Sequence, residues 1–111
     1  MGTTVRVKMA NRDKRLEYSG VVAPILKYLN SLPGSKAINI HGSVFCERGT
    51  PDVVGCIHGR MIAFECKRDT TEAPEEIQKW RLSEWLMAGA VVGAVSDVSH
   101  VKLILQLMGV I

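Results

Sequence analysis

Asp52, Glu65 and Lys67 are the residues of this chain whose types and spacing could do chemistry. Asp52 opens the β-rich run Asp52-Val-Val-Gly-Cys-Ile57. His58-Gly59 then supplies two residues that tolerate positive φ, and Arg60-Met-Ile-Ala-Phe-Glu-Cys-Lys67 is again β-rich and alternating. The string predicts a hairpin with a two-residue turn at His58-Gly59. Ile57 then faces Arg60, Cys56 faces Met61, and counting outward sets Asp52 opposite Glu65. Opposed side chains have Cβ atoms roughly 4.5–5.5 Å apart, and like charges there destabilise a sheet. A bound cation reverses that penalty, and two convergent carboxylates suit Mg²⁺ or Mn²⁺, which share their coordination with water and phosphate. Lys67 projects from the same face as Glu65, while Ile62, Phe64 and Cys66 point the other way into a core. The chemistry open to such a set is metal-assisted hydrolysis of a phosphodiester. The bland alternative is a surface hairpin with Asp at a turn and a solvated Glu/Lys pair. The register that aligns the two acids favours the site.

The elements that must position these groups read as helix, three strands, helix, strand and helix. Residues from about 16 to 32 carry Tyr18, Val21, Val22, Ile25, Leu29 and Leu32 at helical spacing, and Pro33-Gly34 stops the run. Pro24 requires that this helix kink there or begin late. Residues 37–41 form a short strand, and residues 42–50 form a loop into the hairpin. Ser43, Glu47 and Arg48 lie on that loop near Asp52, where they could touch a substrate or simply be solvated. Thr70 or Thr71 can cap a second helix running to about Ala88. On it Gln78 shares a face with Leu82, Trp85 and Leu86. It must find a partner there, either Lys67, a metal-bound water or a local backbone group. Residues 90–95 read as a buried strand. The last helix carries Val98, Val101, Leu105 and Met108, with Leu103, Ile104, Leu107, Val110 and Ile111 outside that stripe. A helix apolar nearly all round is buried twice, which a homodimer contact would achieve.

The order Gly49-Thr-Pro51-Asp52, Gly59-Arg60, Phe64-Glu65-Cys66-Lys67, Gln78-Lys-Trp80 and Ala88-Gly89-Ala90 resembles the virus-type replication-repair nuclease module, VRR-NUC, of the PD-(D/E)xK nuclease superfamily. The resemblance runs from about Glu17 to about Val101, and the chain length suggests the stand-alone phage or bacterial form. It implies an α/β fold with a restriction-endonuclease-like αβββαβ core, a mixed central sheet flanked by helices. It implies that Asp52, Glu65 and the backbone carbonyl of Cys66 hold Mg²⁺ or Mn²⁺ and that Lys67 is the catalytic lysine. Gln78 matches the family's helix glutamine, and Glu17 matches an acidic residue of its first helix and is a further candidate ligand. Read from the residues, Glu17 shares a face with Val21 and Ile25 only if helix extends back across Gly20. A helix-dipole role for an ordinary first-turn Glu fits it equally. A Cys between Glu and Lys departs from the family's usual aliphatic residue, but its side chain faces the core.

Composition bounds the rest. The 111 residues, 47% hydrophobic, make one domain over 1–111 and exclude wholesale disorder. No apolar run approaches the ~18 residues of a membrane span, and no signal-peptide core is visible. Three cysteines argue for a reducing compartment, here the cytoplasm of a bacterial or phage-infected cell, and Cys46, Cys56, Cys66 and His58 lack the paired spacing of a zinc site. The net charge of +3 is modest, but its distribution is suggestive. Arg6, Lys8, Arg12, Lys14 and Arg15 mark a basic N-terminal arm over about residues 1–13 and just beyond. Arg68, Lys79 and Arg81 fall near Lys67 and could engage phosphates without reading sequence. Two Phe, two Tyr and two Trp do not advertise stacking on single strands, so duplex or branched DNA is the expected partner. The expected activity is a metal-dependent DNA endonuclease selective for branched DNA such as four-way (Holliday) junctions, with a homodimer pairing two sites. The alternatives are a general, nicking or exonucleolytic nuclease on duplex or flap DNA and, from another class, a non-catalytic DNA-binding subunit.

Overall fold

A computed structural model describes residues 18–40, 46–69 and 71–111. A mixed four-stranded sheet of order β1-β2-β3-β4 forms its centre, with β1 at Ser35–Asn39, β2 at Val53–Ile57, β3 at Arg60–Cys66 and β4 at Val91–Val95. The first three strands are antiparallel and β4 runs parallel to β3. Three α-helices accompany the sheet: α1 at Ala23–Ser31, α2 at Glu76–Met87 and α3 at Val98–Leu107. The fold is therefore α/β with a mixed sheet and flanking helices.

The β2–β3 hairpin has the register read from the sequence, with Ile57 opposite Arg60 and Cys56 opposite Met61. Both turn residues take positive φ, 49° at His58 and 81° at Gly59. Positive φ at both central positions is the primed turn whose twist matches that of the flanking strands, and it explains Gly at the second position. The ladder ends at Val53–Phe64, so Asp52 and Glu65 are the next facing pair.

Other boundaries move for local reasons. Pro24 sits in the first turn of α1, where a missing N–H costs nothing, and a π-helical turn at Tyr18–Val22 precedes it. The helical run thus extends back across Gly20 to Tyr18, and its irregularity falls at the change from π to α just before Pro24. Strand β1 begins two residues earlier than expected, at Ser35, because His58 N–H donates to the Gly34 carbonyl at 2.8 Å and ties the strand's start to the hairpin turn. Helix α2 starts four residues later than a Thr71 cap requires. Thr71 instead closes an Asx turn on Asp69, its N–H donating to Oδ1 at 2.8 Å, and Glu75 caps the helix. Asp97 caps α3 by accepting from His100 N–H at 3.0 Å.

One sheet face packs the core. Ile62, Phe64 and Cys66 of β3 meet Ile25 and Leu29 of α1 and Val101 and Leu105 of α3, all fully buried. Ala63 and Glu65 alternate onto the opposite face and are also buried, because α2 lies over them. Helix α2 itself buries no residue completely, so the apolar face read through Leu82, Trp85 and Leu86 is only partly covered, with Leu86 half exposed.

Candidate active site

The site lies where β2 begins, β3 ends and α2 crosses the sheet. Pro51 is buried and fixes the entry to Asp52, whose carbonyl accepts from Ile40 N–H at 2.7 Å. The Asp52 carboxylate reaches across the hairpin, and its Oδ2 accepts from Cys66 N–H at 2.7 Å. Lys67 N–H donates the other way, to Val95 on β4 at 2.9 Å. Because backbone groups alternate along a strand, Cys66 turns both its N–H and its carbonyl toward the Asp52 side. The carbonyl of Cys66 and the two carboxylates thus belong to one end of the hairpin.

Glu65 is 2% exposed, the one buried charged residue among those described. Its Oε1 accepts from Gln78 Nε2 at 2.8 Å and stands 3.7 Å from Lys67 Nζ. Gln78 Oε1 in turn accepts from Lys67 Nζ at 2.9 Å and from Glu75 N–H at 2.8 Å. One amide therefore bridges the carboxylate and the ammonium while anchoring the start of α2. Of the alternatives for Gln78, Lys67 and the local backbone are both realised, since its oxygen has two lone pairs.

The loop before Asp52 is pressed against α2. Gly49 has φ 78°, and a Cβ there would lie 2.8 Å from the Ile77 carbonyl oxygen, so both its conformation and its space demand glycine. Arg81 Nε donates to the Arg48 carbonyl at 3.0 Å, and its guanidinium pairs with Glu84 at 2.8 Å and Glu47 at 3.5 Å. Reading the sequence for phosphate contacts missed this bracing role. The adjacency of Gly49 and the Pro51-Asp52 turn was its only trace.

The other basic candidates are engaged at the surface. Arg68 holds Glu72 through its guanidinium at 3.1 Å and through its backbone N–H at 3.0 Å. The Arg68 guanidinium and N–H hold the Glu72 carboxyl below the usual carboxylate range. Lys79 pairs with Glu76 at 3.2 Å. Such exposed pairs exchange readily for a phosphate partner. Arg48 is exposed on its loop beside the site. Glu17, Arg12, Lys14, Arg15 and Ser43 lie outside the described residues.

Among the described residues no group of three or more His, Cys, Asp or Glu side chains gathers to hold a metal. Cys56 is exposed on β2 and Cys66 lies in the core. The donors at the hairpin end are hard oxygens, two carboxylates and one carbonyl, which fit Mg²⁺ or Mn²⁺ rather than a softer ion. Two acids gathered beside a single ammonium leave negative charge to be balanced, and a divalent cation would balance it. No described helix is long and apolar enough to cross a membrane. No family model, curated protein or solved structure matches the chain.

Proposed function

We propose that the chain is a VRR-NUC-type nuclease, a metal-dependent deoxyribonuclease that hydrolyses phosphodiester bonds, with Asp52, Glu65, Lys67 and Gln78 as its working set. The observation that carries this reading is the Glu65–Gln78–Lys67 chain of hydrogen bonds beside an Asp52 fixed on Cys66 N–H. A merely solvated Glu/Lys pair would not bury the carboxylate at 2% exposure or hold both charges on one amide. The strand and helix order, α1-β1-β2-β3-α2-β4 with α3 last, supports the restriction-endonuclease-like topology.

Asp52, Glu65 and the Cys66 carbonyl would hold Mg²⁺ or Mn²⁺, with Glu17 a further candidate. Such an ion, when bound, polarises a phosphate and lowers the pKa of an attacking water. The chain's own residues do the remainder. Lys67, half-buried and aimed by Gln78, orients the water toward phosphorus and neutralises charge that develops on the phosphate oxygens. Gln78 keeps that ammonium from collapsing fully onto Glu65, holding the pair 3.7 Å apart. The Asp52 carboxylate keeps one orientation because Cys66 N–H is spent on it. Arg68 and Lys79 supply phosphate contacts by releasing Glu72 and Glu76, and the exposed Arg48 supplies another.

Branched DNA, such as a four-way junction, is the substrate class proposed, cut by a homodimer that pairs two sites. Strand geometry rather than base sequence would select the substrate, since contacts to phosphate carry no base information. The test is cleavage of end-labelled four-way junction, flap and linear duplex in Mg²⁺ or Mn²⁺, with Lys67→Ala and EDTA as controls. Paired nicks on the junction alone support a dimeric resolvase. Equal cutting of linear duplex replaces junction selectivity with general nuclease action, and retention of junctions without any cutting overturns the enzyme reading in favour of a binding subunit.

A further inference from the structure

Lys67 is held at both ends. Gln78 on α2 places its ammonium. Its backbone N–H donates to the Val95 carbonyl of β4 at 2.9 Å, just past the Cys66–Val95 pair that ends the ladder. The peptide that supplies this carbonyl has a second contact. Ser96 N–H belongs to the same Val95–Ser96 peptide and donates to His100 Nδ1 at 3.2 Å. In a trans peptide the carbonyl and the N–H point in opposite directions. One rigid plane thus carries Lys67 at one end and an imidazole at the other.

The chain of bonds continues toward the hairpin. Lys67 N–H shares its peptide with the Cys66 carbonyl, the oxygen proposed to join Asp52 and Glu65 in holding a cation. Two peptide planes in series, Cys66–Lys67 and Val95–Ser96, therefore connect that carbonyl to His100. Hydrogen bonds linked in this way polarise one another, by about 10–30% per bond. An acceptor at His100 draws on Ser96 N–H and leaves the Val95 carbonyl more negative. Through Lys67 N–H the effect passes to the Cys66 oxygen, which becomes the better ligand for a hard cation.

The imidazole is itself fixed. His100 N–H donates to Asp97 Oδ1 at 3.0 Å, and the fully buried Val101 and Leu105 anchor α3 in the core. The ring is half-buried. A ring nitrogen that accepts from a backbone N–H carries no proton, so the ring is neutral with its proton on Nε2. Helix capping does not account for it, because Asp97 already caps α3. In a capping box the third helical residue returns its side chain to the N-cap N–H. His100 occupies that third position but reaches one residue further back, to the peptide that carries Lys67.

We infer that His100 is a positioning residue for the site, holding the Val95–Ser96 peptide so that the Lys67 backbone and the Cys66 carbonyl keep their places. The relay stands without the nuclease reading, whereas its effect on cation binding and cutting rests on that reading. Outer groups that orient a metal ligand are worth about 10–100-fold in affinity or activity, and two intervening peptides put His100 at the lower end, about tenfold.

Solution NMR of the metal-free full chain tests the relay apart from catalysis. Wild type should show a coupling through the hydrogen bond between the Ser96 amide nitrogen and His100 Nδ1. In His100→Ala the Lys67 amide proton should move upfield and exchange faster with solvent. His100→Asn, whose Oδ1 offers an acceptor at similar reach, should restore both. Titration with Mg²⁺ alone, followed on the same amides, should show His100→Ala binding about tenfold more weakly. Single-turnover junction cleavage should slow to a similar degree at an unchanged DNA concentration for half-saturation. A purely structural cap would alter the amides at the start of α3 and the urea midpoint while leaving the Lys67 amide or the Mg²⁺ affinity as in wild type, and either result overturns the proposal. Absence of the coupling in wild type also overturns it, which decides the matter even if the variants misfold. A Lys67 amide that responds as expected, in a protein whose wild type neither binds Mg²⁺ nor cuts, upholds the relay and removes the nuclease reading instead.

Discussion

Replacing Gln78 by Ala removes three hydrogen bonds at once, those to Glu65 Oε1, Lys67 Nζ and Glu75 N–H. The first two involve charged partners, a class worth about 1.5–3 kcal/mol each when lost without replacement. Lys67 is 15% exposed at its side chain and still has Glu65 at 3.7 Å, so water and direct pairing recover part of that loss. A net destabilisation of about 1–3 kcal/mol is therefore expected, including the cap of α2. The effect on cleavage is different in kind. Without the amide, Lys67 settles on Glu65 and is drawn from the position where it aims water. Loss of an orienting partner of this sort typically costs about 10–100-fold, equivalent to about 1.4–2.7 kcal/mol of transition-state stabilisation. Urea unfolding would give the first quantity and single-turnover cleavage of saturating labelled junction the second. The loss should fall on the cleavage rate with little change in the DNA concentration needed for saturation. Gln78→Glu should be at least as slow at neutral pH, because a carboxylate oxygen would replace the Nε2 donor facing Glu65. Wild-type single-turnover rates in a folded Gln78→Ala protein would refute the reasoning.

Asp52→Asn keeps an acceptor for Cys66 N–H, so it should fold at least as stably as wild type without metal while losing measurable cleavage; urea titration and a labelled-DNA assay check both. Gly49→Ala forces a β-carbon against the Ile77 carbonyl at left-handed φ and should lower stability by about 1–3 kcal/mol, read from the urea midpoint, with slower cutting as the Asp52 loop shifts against α2. Arg81→Ala releases the Arg48 carbonyl and should slow cleavage several-fold, with Arg81→Lys restoring little because a single ammonium cannot reach Arg48, Glu47 and Glu84 together. Asp97 is held below its usual 3.8 by Ser99 and by the His100 N–H. Its capping contribution is thus complete above about that value and lost as pH falls through the lower folded-state value. Asp97→Ala should lower the thermal midpoint at pH 7, and the gap from wild type should close in strong acid.

The hairpin was legible because its turn chemistry and its alternation agree. His58-Gly59 fixes the loop, the loop fixes the register, and the register sets Asp52 beside Glu65. The partner of Gln78 could be narrowed but not chosen from sequence, since an amide oxygen serves Lys67 and the Glu75 backbone equally well. The start of α2 was misplaced because two threonines look like caps, whereas Asp69 captures Thr71 in a turn and leaves capping to Glu75. Strand β1 slid because Ser35 and Lys36 have little strand preference of their own. They join the sheet through pairing with Ile57 and Cys56, a tertiary choice no local pattern records. Bracing by Arg81 was hidden for a similar reason, since its acceptor is a backbone carbonyl 33 positions earlier.

The central claim is that the two facing acids and Lys67 form a metal-dependent phosphodiesterase centre. Single-turnover cleavage of an end-labelled four-way junction by wild type and Glu65→Gln, run side by side with Mg²⁺ and with EDTA, tests it most directly. The account predicts cutting by wild type in Mg²⁺ alone and none by folded Glu65→Gln in either condition. Cutting by Glu65→Gln at the wild-type rate, or wild-type cutting undiminished by EDTA, would contradict it.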